Sequence, residues 1–390
     1  MLLTEAEGKE LCKRAGLLLP ESEVVTSVTE LAALKQQQLA FPVFAKAQVL
    51  HGNRAMQNLI RKANSFPELE QQVIELLTQT DQYDQPITAV LVEQALDFSS
   101  ESYLALTYDT HHRSLVAQYS PEGGVGMDDR GETLQVVPLS SLEEPTSFAP
   151  NQQLLSTVQK LWHVVRDNDA VLVEINPLVY ANNEYYCLDA KIELEDIARF
   201  RHEEWQRYSD RSALGRPPTE LETRAHKVSA MDHRGVAGES FFEFIGGEVG
   251  VMASGGGASL LAMDALMAAG VSPANYTEYS GNPTREKTKA LTDVVLAIKN
   301  LHGLYVVGSN ANFTDIYETL AGVVDGLLTS KYAKPGFKVL IRRGGPRWEE
   351  AFAMVTERLA ATGVELKLFG PDFPIVETAE EMKKMLAGTM

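Results

Sequence analysis

From Gly247 onward, short apolar runs alternate with longer helical stretches, and few folds accommodate that order. Strands are expected at 247–254, 304–309, 338–343 and 364–370. Helices are expected at 255–270, 284–300, 314–328, 346–361 and 377–386. Strand–helix–strand alternation implies βαβ units, and so a parallel sheet with helices on both faces.

An open parallel sheet binds ligands beyond the carboxyl ends of its strands. Three strand-to-helix turns fall there. In Ser254-Gly255-Gly256-Gly257-Ala258-Ser259, bare glycine backbone lets N–H groups approach a ligand at a helix N-terminus. In Ser309-Asn310-Ala311-Asn312-Phe313-Thr314, Asn312 or Thr314 is placed to cap the next helix. In Arg342-Arg343-Gly344-Gly345-Pro346, guanidinium groups precede a helix whose first turn tolerates proline. Together they describe a pocket for a small polyanion; ordinary capping and turn chemistry is the plain alternative. A polar loop, 278–283, is expected near the same edge.

The first half is less regular. Helices are expected at 4–15, 27–40, 66–80 and 151–166, and strands at 43–49, 89–93, 102–108 and 114–119. A polar connector over 199–239, with Gly215, Pro217 and Pro218, separates the halves. Before it, two β-prone runs flank Asn182-Asn183, residues that tolerate the positive φ of a two-residue hairpin turn. In that register Asn176 faces Asp189 and Glu174 faces Lys191. Pro177 cannot donate to a ladder, so its strand is at an edge or bulged. Oxygen donors of this kind suit Mg²⁺, which keeps waters and shares substrate phosphates. The alternative is a solvent-facing hairpin with a surface Glu–Lys pair. Lys46, among apolar strand neighbours, needs an anion, either a nucleotide phosphate or a structural Glu. Glu93 and Glu101, at strand ends, read by themselves as turn residues.

A formal charge of −18 argues against general nucleic-acid binding and against anionic membranes. Two cysteines, Cys12 and Cys187, make no disulfide framework. The amino-terminal stretch has no secretory apolar core, and no run is long enough to span a bilayer. A cytoplasmic protein is expected. The histidines form no metal spacing, and no serine or cysteine nucleophile elbow is present.

The motifs VEINPLVY, CLDAKI, ASGGGAS, NYTEYSGNP, GSNANFTD and IRRGGP resemble the nucleotide-binding part of ATP-citrate lyase and the large subunit of citryl-CoA synthetase. More distantly, the chain is similar to the succinyl-CoA synthetase β subunit, and the resemblance covers nearly all of it. It implies an ATP-grasp domain (1–235, with a small lid subdomain at about 20–100) followed by a flavodoxin-like parallel α/β acid–CoA ligase domain (236–390). It also implies ATP and Mg²⁺, citrate and CoA, and a hetero-oligomer. The partner would be an α-type subunit carrying the phosphohistidine and the CoA site. By position, Asn176 and Asp189 would ligate the metal and Glu174 would orient the partner's histidine. Lys46 and Arg54 would touch the phosphates, Glu93 the ribose, and Glu101 the phosphate–metal region. Gly256, Gly257, Ala258, Ser259, Asn312, Phe313, Thr314 and Arg343 would form the citrate pocket, with Arg343 also catalytic. The helix near Thr314 would point its positive end at the phosphohistidine. One departure stands out: where the family carries a Gly-Arg-Gly-Lys-like loop, residues 51–57 read HGNRAMQ. That puts the phosphate-covering lid in question and leaves two other readings open. One is a succinate- or malate-type ligase; the other is a binding subunit with a decayed ATP site.

Overall fold

The computed structural model describes residues 1–34, 39–124, 134–208, 211 and 216–388. The chain forms two compact units, Met1–Pro217 and Pro218–Met390. The division falls at the two prolines rather than at 235/236. The reason is a helix inside the expected connector, whose Ala225 and Val228 join the core of the second unit.

Among its described residues, the first unit holds two sheets. The smaller is antiparallel, built from β1 (Ser22–Val25), β2 (Val43–Ala47), β3 (Ile60–Ala63) and β4 (Val90–Gln94) in the order β1-β4-β2-β3. Helices α2 (Val28–Leu34) and α3 (Phe66–Leu77) cover one face, above Val43, Ala45, Ala47, Val90 and Val92. Strand alternation sends Lys46 and Glu93 to the other face. Of the helix expected at 27–40, Val28–Leu34 is helical and 39–40 are not; 35–38 lie outside the described residues, as does Gly215.

The larger sheet comprises β5 (Ser100–Asp109), β6 (Ser114–Ser120), β7 (Gln135–Leu139), β8 (Ala170–Ala181), β9 (Glu184–Cys187) and β10 (Lys191–Leu194). Helices α1 (Glu5–Arg14) and α4 (Leu155–Asp167) contribute Leu11, Val158, Leu161 and Val165 to its core. Asn182 and Asn183 take φ of 51° and 66°, the left-handed pair that closes a two-residue hairpin. The expected register follows: Leu178 faces Cys187 and Glu174 faces Lys191. Pro177 lies within an inner strand, at the irregularity where β5 shifts against β8 between Ser102 and Leu104.

The second unit holds one sheet of β11 (Val236–Glu243), β12 (Val249–Ser254), β13 (Asn275–Ser280), β14 (Gly303–Asn310), β15 (Lys338–Gly344) and β16 (Glu365–Phe369). Its order is β11-β13-β12-β14-β15-β16. All but β11 run parallel, and β11 is an antiparallel edge added to the expected sheet. Two cores lie on its two faces. One takes α5 (Glu220–Ser229), α7 (Arg285–Val295), α8 (Ile316–Thr329) and α9 (Trp348–Leu359). The other takes α6 (Gly256–Ala269) and α10 (Ile375–Ala387). Strand order reverses between β12 and β14, and their following helices go to opposite faces. In open α/β sheets, such a switch point is where ligands bind. Among the described residues, no helix is long and apolar enough to cross a membrane.

Candidate functional sites

In the first unit, a cavity of about 490 Å³ is lined by the loop at 51–56 and by Glu5, Gly124, Glu174, Asn176, Asp189 and Lys191. The hairpin thus brings its amide and carboxylates to one wall. Asn176 Oδ1 accepts the Gly124 N–H at 2.7 Å, and its Nδ2 donates to the Gly124 carbonyl at 3.1 Å. Glu101 lies against the same glycine. Asp189 Oδ2 accepts from Arg54 Nη2 at 2.7 Å, and Arg54 Nη1 is 2.6 Å from Glu5 Oε2.

Beside the cavity is a buried charge cluster. Lys46 Nζ sits 2.9 Å from Glu5 Oε1, 2.6 Å from Glu93 Oε1 and 2.7 Å from the Leu188 carbonyl. Lys9 Nζ reaches Glu5 at 2.6 Å and also pairs with Glu93. Three bases (Lys9, Lys46, Arg54) therefore face three acids (Glu5, Glu93, Asp189). Burial alone would raise the Glu5 carboxyl, but Lys46, Lys9 and Arg54 together hold it well below the usual carboxylate range. Burial would likewise lower Lys46, and Glu5, Glu93 and Asp189 raise it above the ordinary lysine value.

Two residues expected at the nucleotide lie in this cluster. Glu93, expected at the ribose, is 2% exposed and engaged by two ammonium groups. Lys46, expected at the phosphates, pairs with Glu5 and Glu93. Glu5 and Lys9, which complete the cluster, carried only one hint in the sequence, their i,i+4 spacing on the first helix.

An amide oxygen and two carboxylates around this cavity fit a hard cation completed by water and phosphate oxygens. They do not make an all-protein cage: among the described residues no group of three or more His, Cys, Asp or Glu is placed to hold a metal.

The second unit assembles the other candidates at the carboxyl ends of its strands. Gly255 takes φ 92°, and α6 starts at the exposed Gly256 and Gly257, followed by Ala258. Ser259 is occupied: its hydroxyl donates to the Gly256 carbonyl at 2.7 Å and bonds Tyr276 Oη at 2.9 Å. Asn312 and Phe313 are exposed and Thr314 is buried. Neither Asn312 nor Thr314 caps α8; Asp315 does, accepting the Glu318 N–H at 3.1 Å. Asn282 Oδ1 in turn accepts the Asp315 N–H at 3.0 Å. Pro346 stays outside α9, and its carbonyl accepts the Ile316 N–H at 3.0 Å. Glu278–Ser280, expected as loop, is the end of β13.

The two adjacent arginines divide by strand alternation. Arg342 is used up on the carbonyls of Phe373, Gly308 and Pro371. Arg343 points to the opposite face, has no exposed surface, and has no hydrogen-bond partner among the described residues on Nε, Nη1 or Nη2. Its guanidinium lies over the Tyr279 ring, 5.6 Å from the centroid. Burial raises the Tyr279 phenol above its ordinary value, although the Arg343 charge opposes this.

Two family models match the chain. Residues 2–134 match the ATP-grasp domain, and residues 219–383 match the citrate-binding domain of ATP citrate lyase. Curated relatives include the succinate–CoA ligase [ADP-forming] subunit beta of Desulfurococcus amylolyticus, 27% identical over 377 residues, covering 92% of this chain and 94% of that one. The same subunit of Aquifex aeolicus is 26% identical over 326 residues, covering 78% and 81%. Among solved structures, ATP citrate lyase from Methanothrix soehngenii, in complex with citrate and coenzyme A, superposes with TM-score 0.71 at 21% identity, over 98% of this chain and 99% of that one. The Methanosaeta concilii enzyme in complex with (3S)-citryl-CoA gives 0.72 at 20% identity over the same shares. At such identities the likeness is one of fold.

Proposed function

We propose that this chain, which belongs to the ATP-dependent acid–CoA ligases, is the nucleotide-binding subunit of one that joins citrate to coenzyme A. The observation that carries the reading is Arg343. A buried guanidinium without an acceptor among the described residues stands at the carboxyl end of β15, in the domain that matches a citrate-binding family. Such a group demands an anion.

In this reading Asn176 and Asp189 hold Mg²⁺ with ATP, and Glu101 borders the phosphates. Mg-ATP supplies the phosphoryl group. Arg54 exchanges its bond to Asp189 for contact with phosphate oxygens, which keeps a cation beside Glu5 throughout. Glu174 orients a histidine that a partner subunit provides, since no histidine of this chain lies in a glycine-rich setting. The Gly256–Ser259 turn and Asn312, Phe313 and Thr314 enclose the acid while Arg343 takes a carboxylate. The partner carries the CoA site, and the assembly is a cytoplasmic hetero-oligomer. Two buried free thiols support that reducing setting.

A second reading has its own observation: relatives that align over more than nine-tenths of the chain, at 27% identity, are succinate–CoA ligase beta subunits. One experiment separates the two. A ligand that binds only the folded state raises the unfolding midpoint by mass action. Citrate is expected to raise it, with succinate and malate inert at equal concentration. Stabilisation by succinate alone would replace citrate with the smaller acid.

A further inference from the structure

Four neighbouring strands bring one row of residues to a single face near their carboxyl ends. Ser254 of β12 pairs with Gly308 of β14. Arg343 follows Arg342, whose partner is Val307, and Tyr279 follows Glu278, whose partner is Ala253. The β14–β15 register shifts after Val307, but the space above Gly308 is filled by Arg343, so the row reads Tyr279, Ser254, Gly308, Arg343 across β13, β12, β14 and β15. Its two central positions are small. A Cβ at Gly308 would overlap Arg343 Nη1 and sit 2.8 Å from Ser254 Cβ. The absence of a side chain there opens a trough, and Arg343 lies along it to reach the Tyr279 ring.

At the end of the trough the hydrogen-bonding inventory does not close. All three Arg343 nitrogens lack a partner, and so does Tyr279 Oη. Thr277 Oγ1, two residues earlier on the same face of β13, is a third such group. All three residues have no exposed surface. The guanidinium can only donate, and each hydroxyl has a proton to give. Buried donors without acceptors are costly, and natural structures rarely keep them. What is missing is therefore an acceptor-rich group. A carboxylate offers two oxygens with about four lone-pair sites, enough for a guanidinium edge and a phenol together.

Resting on the acid-binding reading above, we propose that Tyr279 is a binding residue of the acid site, its hydroxyl sharing with Arg343 one carboxylate of the bound acid. The ring does a second job in the same position, since its face supports the cation and keeps the guanidinium edges free for the ligand. Neither group has exposed surface, so an acid reaches them by displacing the residues above. The trough also bears on selectivity. The reach of Arg343 is set by Gly308 and Ser254, so the gripped carboxylate lies toward β13 and away from β15.

The test uses the full chain, calorimetric titration with citrate, and thermal unfolding without acid. Tyr279→Phe keeps the ring and removes only the oxygen. It is expected to leave the acid-free midpoint unchanged or higher, because an unpartnered buried hydroxyl is lost. Its citrate dissociation constant is expected to rise roughly tenfold or more, as for a hydrogen bond to a charged group. A purely structural tyrosine would give the opposite pair, a lower acid-free midpoint with unchanged affinity, and that result overturns the proposal. Arg343→Gln serves as the reference. If it abolishes citrate binding while Tyr279→Phe binds like the parent, the role of Tyr279 falls and the acid site stands. If Arg343→Gln binds citrate normally, the acid-site reading itself falls.

Discussion

The two units treat buried charge in opposite ways. In the first, three acids and three bases meet beside the cavity, and each has an opposite charge within 3 Å. In the second, one guanidinium is buried just as deeply, yet among the described residues no acid pairs with it and no carbonyl accepts from it. A closed cluster holds a shape, because every member is needed to balance the others. An open one costs stability and is kept for a ligand, because only an incoming group completes it. In the proposed reading, the nucleotide side is built around salt bridges that a ligand must exchange, and the acid side around a bond still to be made.

The most severe break in this contrast is Glu5→Ala. It leaves Lys46, Lys9 and Arg54 short of one carboxylate in a buried setting, and removing one partner of such a network typically costs about 3–5 kcal/mol. Denaturant unfolding measures it, and a loss under about 1 kcal/mol would show that the cluster is solvated rather than closed. Arg343→Met is expected to act with the opposite sign. Taking away an unpaired buried cation should leave acid-free stability equal or higher. The stabilisation by citrate, about 2.7 kcal/mol at a hundredfold excess over the dissociation constant, should disappear. A midpoint lowered by Arg343→Met would mean that the guanidinium is paired after all.

The subtlest difference is in pH. The Glu5 carboxyl is held below its ordinary value of 4.5 in the folded chain. Its unfolded form therefore binds a proton first as pH falls. The stability it contributes is fully present above 4.5 and is lost as pH drops through the depressed folded value. Comparing unfolding free energy between pH 6 and pH 3, the parent should lose more than Glu5→Gln does. Equal slopes would remove Glu5 from the acid limb.

Parts of this were legible in the chain and parts were not, for physical reasons. The hairpin register could be read because Asn182-Asn183 permits a two-residue turn, and side chains then alternate with a period of two. The alternation after Gly247 could be read because each βα unit is a local, apolar pattern. By contrast β13 escaped as strand. Its buried face carries Asn275, Thr277 and Tyr279 in place of aliphatic residues, and Asn275 is satisfied by both backbone groups of Val251 at 2.9 Å. The partners of Lys46 escaped too, since Glu5 and Glu93 lie 41 and 47 positions away in the sequence.

What the sequence determined by itself was the hairpin pairing, the strands and helices of the alternation after Gly247 other than β13, and part of the set of polar residues gathered at each end. Those follow from short-range periodicity and turn geometry. Which of those residues are consumed and which are left open was decided only in three dimensions. Arg342 and Arg343 are neighbours of identical chemistry, and nothing local tells them apart. One meets three carbonyls and the other a trough over a tyrosine, because successive side chains of a strand face opposite cores.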